Sequence, residues 1–189
     1  MPLSSAARSA LLQIARDAAT RAVRDENYIP PNPNLPELEV AGGCFVTLKT
    51  DGRLRGCLGC FTAPGPLYKT VAQYAALAAT EDSRFAHDRL KPVDMERVEL
   101  DVSVLSPLAP CADPLAIRLG IDGIYVRSGG RSGCFLPQVA METGWGVAEF
   151  WERCTVDKAG LASGSWRGPG VERFTFTAEV IHDSHPAVS

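Results

Sequence analysis

The run Arg53-Leu54-Arg55-Gly56-Cys57-Leu58-Gly59-Cys60 sets cysteines among arginines on what the surrounding residues make a short strand. Cys44 to Thr50 alternates apolar and polar residues, Asp51-Gly52 suits a tight reversal, and a second extended run follows, which is a hairpin pattern. If that second strand stays regular, period-two geometry puts Arg53, Arg55 and Cys57 on one face and Leu54, Leu58 and Cys60 on the other. Two guanidinium groups on the face of Cys57 favour its thiolate, the form that acts as nucleophile or ligand. The inert alternative is a buried structural thiol, a common fate of free cysteine. Gly56 and Gly59 either let a ligand approach the backbone or relieve crowding where side chains cross the hairpin.

Other residues offer weaker chemistry. Cys57-x-x-Cys60 has the spacing of zinc and dithiol sites, but three positions along a regular strand send the two sulfurs to opposite faces, and a second paired motif is missing. No metal site is expected. Arg84 after Asp82 suits either an anionic ligand or an ion pair that pins a loop. Gln138 can offer its amide to a ligand or satisfy backbone in a turn. Glu99 and Asp101 share a strand face that reads as solvated, His87 reads as loop surface, and His182 and His185 fall in the expected tail, 182–189.

The elements that position these groups follow from periodicity. Ser4 or Ser5 caps a first helix whose apolar positions Ala7, Leu11, Ile14, Ala15 and Ala18 share a face up to about Arg24. Residues 26–37 carry four prolines and form a connector. After the hairpin, Leu67, Val71, Tyr74, Ala75 and Ala78 mark a second helix with Pro66 near its first turn. Val98, Leu100, Val102 and Val104 alternate with polar residues in a half-buried strand. A short helix start at Asp113-Pro114, a second hairpin from Ile124 to Leu136, a third helix through Val147, Phe150, Trp151 and Cys154, and one closing strand from Phe174 to Val180 complete the order. Pro137 ends the hairpin or begins a helical turn, and Trp145, Trp151 and Trp166 are assigned to the core. The class is α+β: a mainly antiparallel sheet with hairpins, flanked by about three helices.

Composition bounds the function classes. The 189 residues are one domain, with a core over about 6–181; 46% are hydrophobic and 22% charged, as in a folded chain. A net charge of −3 argues against broad nucleic-acid wrapping. No apolar run approaches a membrane span and the start lacks a signal-peptide core, so a cytoplasmic address is expected and the six cysteines read as reduced. The glycine patterns of nucleotide-binding loops are missing, and no cofactor is implied.

Leu54-Arg55-Gly56-Cys57-Leu58-Gly59, Asp82-Ser83-Arg84-Phe85, Val102-Ser103-Val104-Leu105, Phe135-Leu136-Pro137-Gln138-Val139-Ala140, Trp145 and Lys158-Ala159-Gly160-Leu161, in this order, resemble the AMMECR domain family. Its prokaryotic members include the AmmeMemoRadiSam system protein A group, and the resemblance runs from roughly Ala6 to Val180. It implies a larger sheet-containing part and a smaller part with a cleft between them. No established reaction comes with it; a Memo-like protein and a radical-SAM protein are the implied partners. The charge placement on the hairpin itself points to a site for a small anionic substrate, with Cys57 as nucleophile or thiolate and Arg55, Gly56, Gly59, Arg84 and Gln138 binding it; the alternative is a non-catalytic adaptor whose same surface docks a Memo-like or radical-SAM partner. Cys60, and Ala86-His87 after the Arg-Phe pair, depart from the family pattern.

Overall fold

The computed structural model describes residues 2–183. The chain divides into two compact units, Met1–Leu105 with Glu179–Ser189, and Ser106–Ala178. Each carries its own four-stranded antiparallel sheet, so the fold is α+β with two sheets where the sequence reading placed one.

In the first unit the sheet order is β2-β1-β3-β8, from β1 (Gly43–Thr50), β2 (Arg53–Cys60), β3 (Val98–Leu105) and β8 (Ala178–His182). Helices α1 (Ser5–Val23) and α3 (Leu67–Thr80) pack on each other and on this sheet. The Ser4 hydroxyl accepts the Ala7 N–H at 3.1 Å, the cap that its residue type predicts. Alanines dominate the facing sides: Ala7, Ala15, Ala18 and Ala19 on α1, and Ala72, Ala75, Ala78 and Ala79 on α3, all buried. Their small size lets the helices approach closely, while Leu11, Val46, Leu48, Val71, Leu100 and Val102 fill the layer between helices and sheet. Each such aliphatic side chain contributes roughly 1.5–3 kcal/mol on burial. A short helix, α2 (Pro36–Glu39), closes the proline-rich connector.

In the second unit the sheet order is β4-β7-β5-β6, from β4 (Ala109–Pro110), β5 (Gly123–Ser128), β6 (Arg131–Phe135) and β7 (Glu172–Phe176). Helices α4 (Pro137–Thr143) and α5 (Val147–Arg153) follow β6, and α5 runs on through a π turn, Cys154–Lys158. Trp151 and Trp166 stack with centroids 6.3 Å apart in its core. The expected start at Asp113 is a single 3-10 turn, Pro114–Ala116.

Three expectations change. The closing strand from Phe174 to Val180 is two strands in different sheets. It breaks at Thr177, whose N–H and C=O are taken by the Ser106 hydroxyl and N–H, at 2.9 Å each, and not by a ladder partner. The first two residues of the tail expected over 182–189 are structured: β8 includes His182, and the Asp183 N–H donates to Leu100 O. Among the described residues five α-helices stand where about three were expected; α2 and α4 each begin on a proline at the first turn and were too short for a periodic pattern. His185 lies outside the described residues.

Candidate functional site

The site is built on β2, an edge strand, and on the segment after α3 that covers its free edge. Cys57 is directly opposite Thr47 of β1, and Thr47 is directly opposite Asp101 of β3. These three share the sheet face away from the helices, since Cys44, Val46 and Leu48 of β1 are buried on the other. The Thr47 hydroxyl donates to Cys57 Sγ at 3.3 Å, and the thiol is half-buried.

Asp82 and Arg84 clamp the backbone of Cys57. One Asp82 oxygen accepts the Cys57 N–H at 2.9 Å, and the Arg84 Nη2 donates to the Cys57 carbonyl at 2.9 Å. The two side chains are themselves joined, Nε to Oδ1 at 2.9 Å and Nη2 to Oδ2 at 2.6 Å. Asp82 also caps the 3-10 turn Ser83–Phe85 by accepting the Arg84 N–H. The free N–H and C=O of an edge strand are thereby satisfied by one ion pair. Arg84 holds the Asp82 carboxyl below its ordinary range, helped by the N–H groups of Cys57 and Arg84 and opposed by burial. In return Asp82 raises the Arg84 guanidinium, and Cys57 adds to that shift by charge and by hydrogen bond. The guanidinium that reaches Cys57 is therefore that of Arg84, through the Cys57 carbonyl. Its Nη1 edge takes no part in the clamp, and the side chain is half-exposed.

Arg53 and Arg55 do not share the face of Cys57. Leu48 pairs with Gly56 and Lys49 with Leu54, so Arg55 is an extra residue, a β-bulge that resets the alternation. Leu54 moves to the face of Cys57, and Arg53, opposite Thr50, goes to the other. The Arg55 side chain is 9% exposed and turns to Asp88 and Asp94, while Arg53 pairs with Asp88. An isolated glycine inside a strand pattern is the sequence signal for such a bulge, and Gly56 carried it.

The glycines answer to packing. A Cβ on Gly56 would sit 2.0 Å from the Ala78 carbonyl oxygen where α3 crosses β2. One on Gly59 would meet the Cys44 carbonyl at 2.2 Å and the Phe45 ring at 2.5 Å. Gly56 is buried against the helix. Gln138 lies in the first turn of α4, in the second unit. Cys60 is opposite Cys44, so Cys57 and Cys60 occupy different faces and do not converge as a dithiol. Burial pushes the Cys44 thiol well up, and burial followed by a hydrogen bond with Cys60 raises the Tyr74 phenol. Among the described residues no three of His, Cys, Asp and Glu group as metal ligands.

Sequence reasoning missed His182, whose Nδ1 is 2.7 Å from Asp101 Oδ1 on the same face. Three strand steps of about 4.8 Å put it roughly 14 Å from Cys57, too far for direct proton transfer. Lys49 also reaches Asp101, at 3.3 Å. A hollow of about 530 Å³ in the second unit contains Glu152, but that carboxylate is occupied by Ser163, the Gly164 N–H and the Trp166 indole. It anchors a loop.

The AMMECR1 family model matches residues 12–181. A relative from Methanothermobacter thermautotrophicus is 36% identical over 189 residues, covering 96% of this chain and 97% of that protein. One from Methanopyrus kandleri, Protein MK0488, is 37% identical over 93% of this chain and 88% of its own. The crystal structure of uncharacterised protein PH0010 from Pyrococcus horikoshii superposes with a TM-score of 0.85 at 34% identity, over 93% of this chain and 91% of that one.

Proposed function

This chain belongs to the AMMECR1 family, and from that premise we propose that it binds, or acts on, a small anionic substrate at Cys57, as a component of an AmmeMemoRadiSam-type system. The observation that carries the reading is the meeting of two motifs: Asp82 and Arg84 hold the backbone of Cys57, whose half-buried thiol lies on the sheet face away from the helices, and leave the Arg84 guanidinium half-exposed. A thiol next to a half-exposed cation suits nucleophilic attack on, or anchoring of, a carboxylate- or phosphate-bearing molecule. Thr47 orients the sulfur and Arg84 attracts the anion. One observation favours a second reading, a docking surface for a Memo-like or radical-SAM partner: Arg84 lies over the Phe85 ring at 5.4 Å, a cation–aromatic pair of the type that anchors interfaces.

Exposure of the protein to a small-molecule extract of the source cells separates the two. Wild type is expected to retain an anionic adduct or bound metabolite, read by intact and native mass spectrometry, that Cys57→Ala lacks at equal folding. A stoichiometric protein partner retained by both, with no small-molecule difference, would replace the substrate reading by the docking one.

A further inference from the structure

The first unit holds a second constellation of cations that the Cys57 site does not use. A pocket of about 240 Å³ at the tip of the β1–β2 hairpin is lined by Thr50, Asp51, Arg53, Arg55, Asp94 and Arg97. That volume is below the range of drug-sized sites and suits a small ion or a single charged group. Three guanidiniums face two carboxylates in a chain whose net charge is −3.

Two of the lining residues are buried with unmet hydrogen-bonding capacity. Arg55 Nε and Thr50 Oγ1 have no partner, although the Arg55 side chain is 9% exposed and Thr50 is 6% exposed. The remaining contacts of Arg55 are long: 3.4 Å to Asp88 Oδ1, 3.2 Å to Asp88 O and 3.8 Å to Asp94 Oδ2. A buried guanidinium normally has its fork filled. Around it, Arg53 pairs with Asp88 and Arg97 with Asp51, and all four of these side chains are more than half exposed. Exposed pairs of this kind exchange at little cost.

We infer that this pocket is a binding site for a small oxyanion, a phosphate or the phosphate group of a small metabolite, with Arg55 and Thr50 as its buried donors and Arg53 and Arg97 as its outer cations. The Asp88 carboxylate, which bridges Arg53 and Arg55, is the internal anion that the ligand displaces. Displacement frees Arg55 Nη2 beside the unpartnered Nε and lets a doubly charged group complete the fork, which a single carboxylate does not match. Phosphate is favoured over a carboxylate because donors converge from three arginines and a hydroxyl, more than one planar carboxylate can satisfy. The site is separate from the Cys57 site: none of the contacts of Cys57 described above involves these six side chains.

The test titrates inorganic phosphate into the ¹⁵N-labelled protein at pH 7, with sodium chloride of equal ionic strength as reference. A saturable shift of the Arg55 Nε–H correlation is expected with phosphate and not with chloride. Arg97→Gln, at a side chain 63% exposed and therefore tolerant of change, is expected to weaken binding several-fold. Arg55→Lys weakens it at least tenfold, and Asp88→Asn strengthens it several-fold by removing the competing anion. Cys57→Ser and Arg84→Gln leave phosphate affinity unchanged, so loss of one site is distinguishable from loss of the other. Equal shifts with chloride, or equal affinities in wild type, Arg97→Gln and Asp88→Asn, would overturn the assignment.

Discussion

Gly56→Ala is expected to lower the stability of the folded protein by about 3 kcal/mol, at the upper end for overpacking by one methyl group. The added Cβ falls 2.0 Å from the Ala78 carbonyl oxygen and 2.9 Å from its carbon, and both atoms belong to the backbone of α3. A flexible side chain would swing aside, but a helix must lift from the sheet along Ala75, Ala78 and Ala79, all buried. Gly65→Ala, where no atom lies within 4 Å of the new methyl, provides the control and should stay within about 0.5 kcal/mol of wild type. Urea denaturation of the three proteins decides the matter. Were Gly56 retained for ligand approach, Gly56→Ala would unfold at the wild-type midpoint and lose only binding.

Asp82→Asn should cost a similar amount, about 2–4 kcal/mol, by a different route. One carboxylate, 4% exposed, accepts from the Cys57 N–H, the Arg84 N–H and two guanidinium nitrogens. The amide of asparagine turns an NH₂ toward donors in either orientation, leaving N–H groups facing N–H groups. For a chain of this length that corresponds to a fall in thermal midpoint of roughly 5–15 °C. The loss is pH-dependent. The folded-state pKa of Asp82 is depressed, so its contribution is complete above the unfolded carboxylate value of about 3.9 and disappears as pH falls through the folded value. The gap between wild type and Asp82→Asn should therefore be constant from pH 5 to 8 and close below pH 4. A gap that widened on acidification would mean that another group holds Cys57 in place.

The legible part of this molecule was what local pattern controls. The cap at Ser4, the alanine stripe of α1, the Asp51-Gly52 reversal and the alternation of Val98 to Val104 are each visible over a few residues, and each element stands where that pattern put it. Asp51 has φ 52° and Gly52 φ 72°, the left-handed pair that a two-residue hairpin turn requires. Long-range pairing was not legible. The link between Arg84 and Cys57 joins residues 27 apart, and that between His182 and Asp101 joins residues 81 apart. Period-two reasoning also failed at the single bulge residue, Arg55, and so assigned the wrong arginines to the sulfur. The thiol lies in the first motif, but the guanidinium bonded to its residue comes from the second, through a loop whose path depends on Asp82. The break at Thr177 was invisible for the same reason, since Ser106 creates it from 71 residues away.

The central claim is that Arg84 supplies the positive charge felt by Cys57, and charge selectivity of alkylation measures it directly. The rates of Cys57 modification by iodoacetate and by iodoacetamide, read by peptide mass spectrometry at low ionic strength, give a ratio that cancels intrinsic thiol reactivity. Removing one nearby charge at a partly exposed site is worth about 1 kcal/mol, so Arg84→Gln should lower the iodoacetate-to-iodoacetamide ratio roughly fivefold, and Arg53→Gln should leave it unchanged. A ratio that is the same in wild type and Arg84→Gln, or that falls only in Arg53→Gln, would contradict the account.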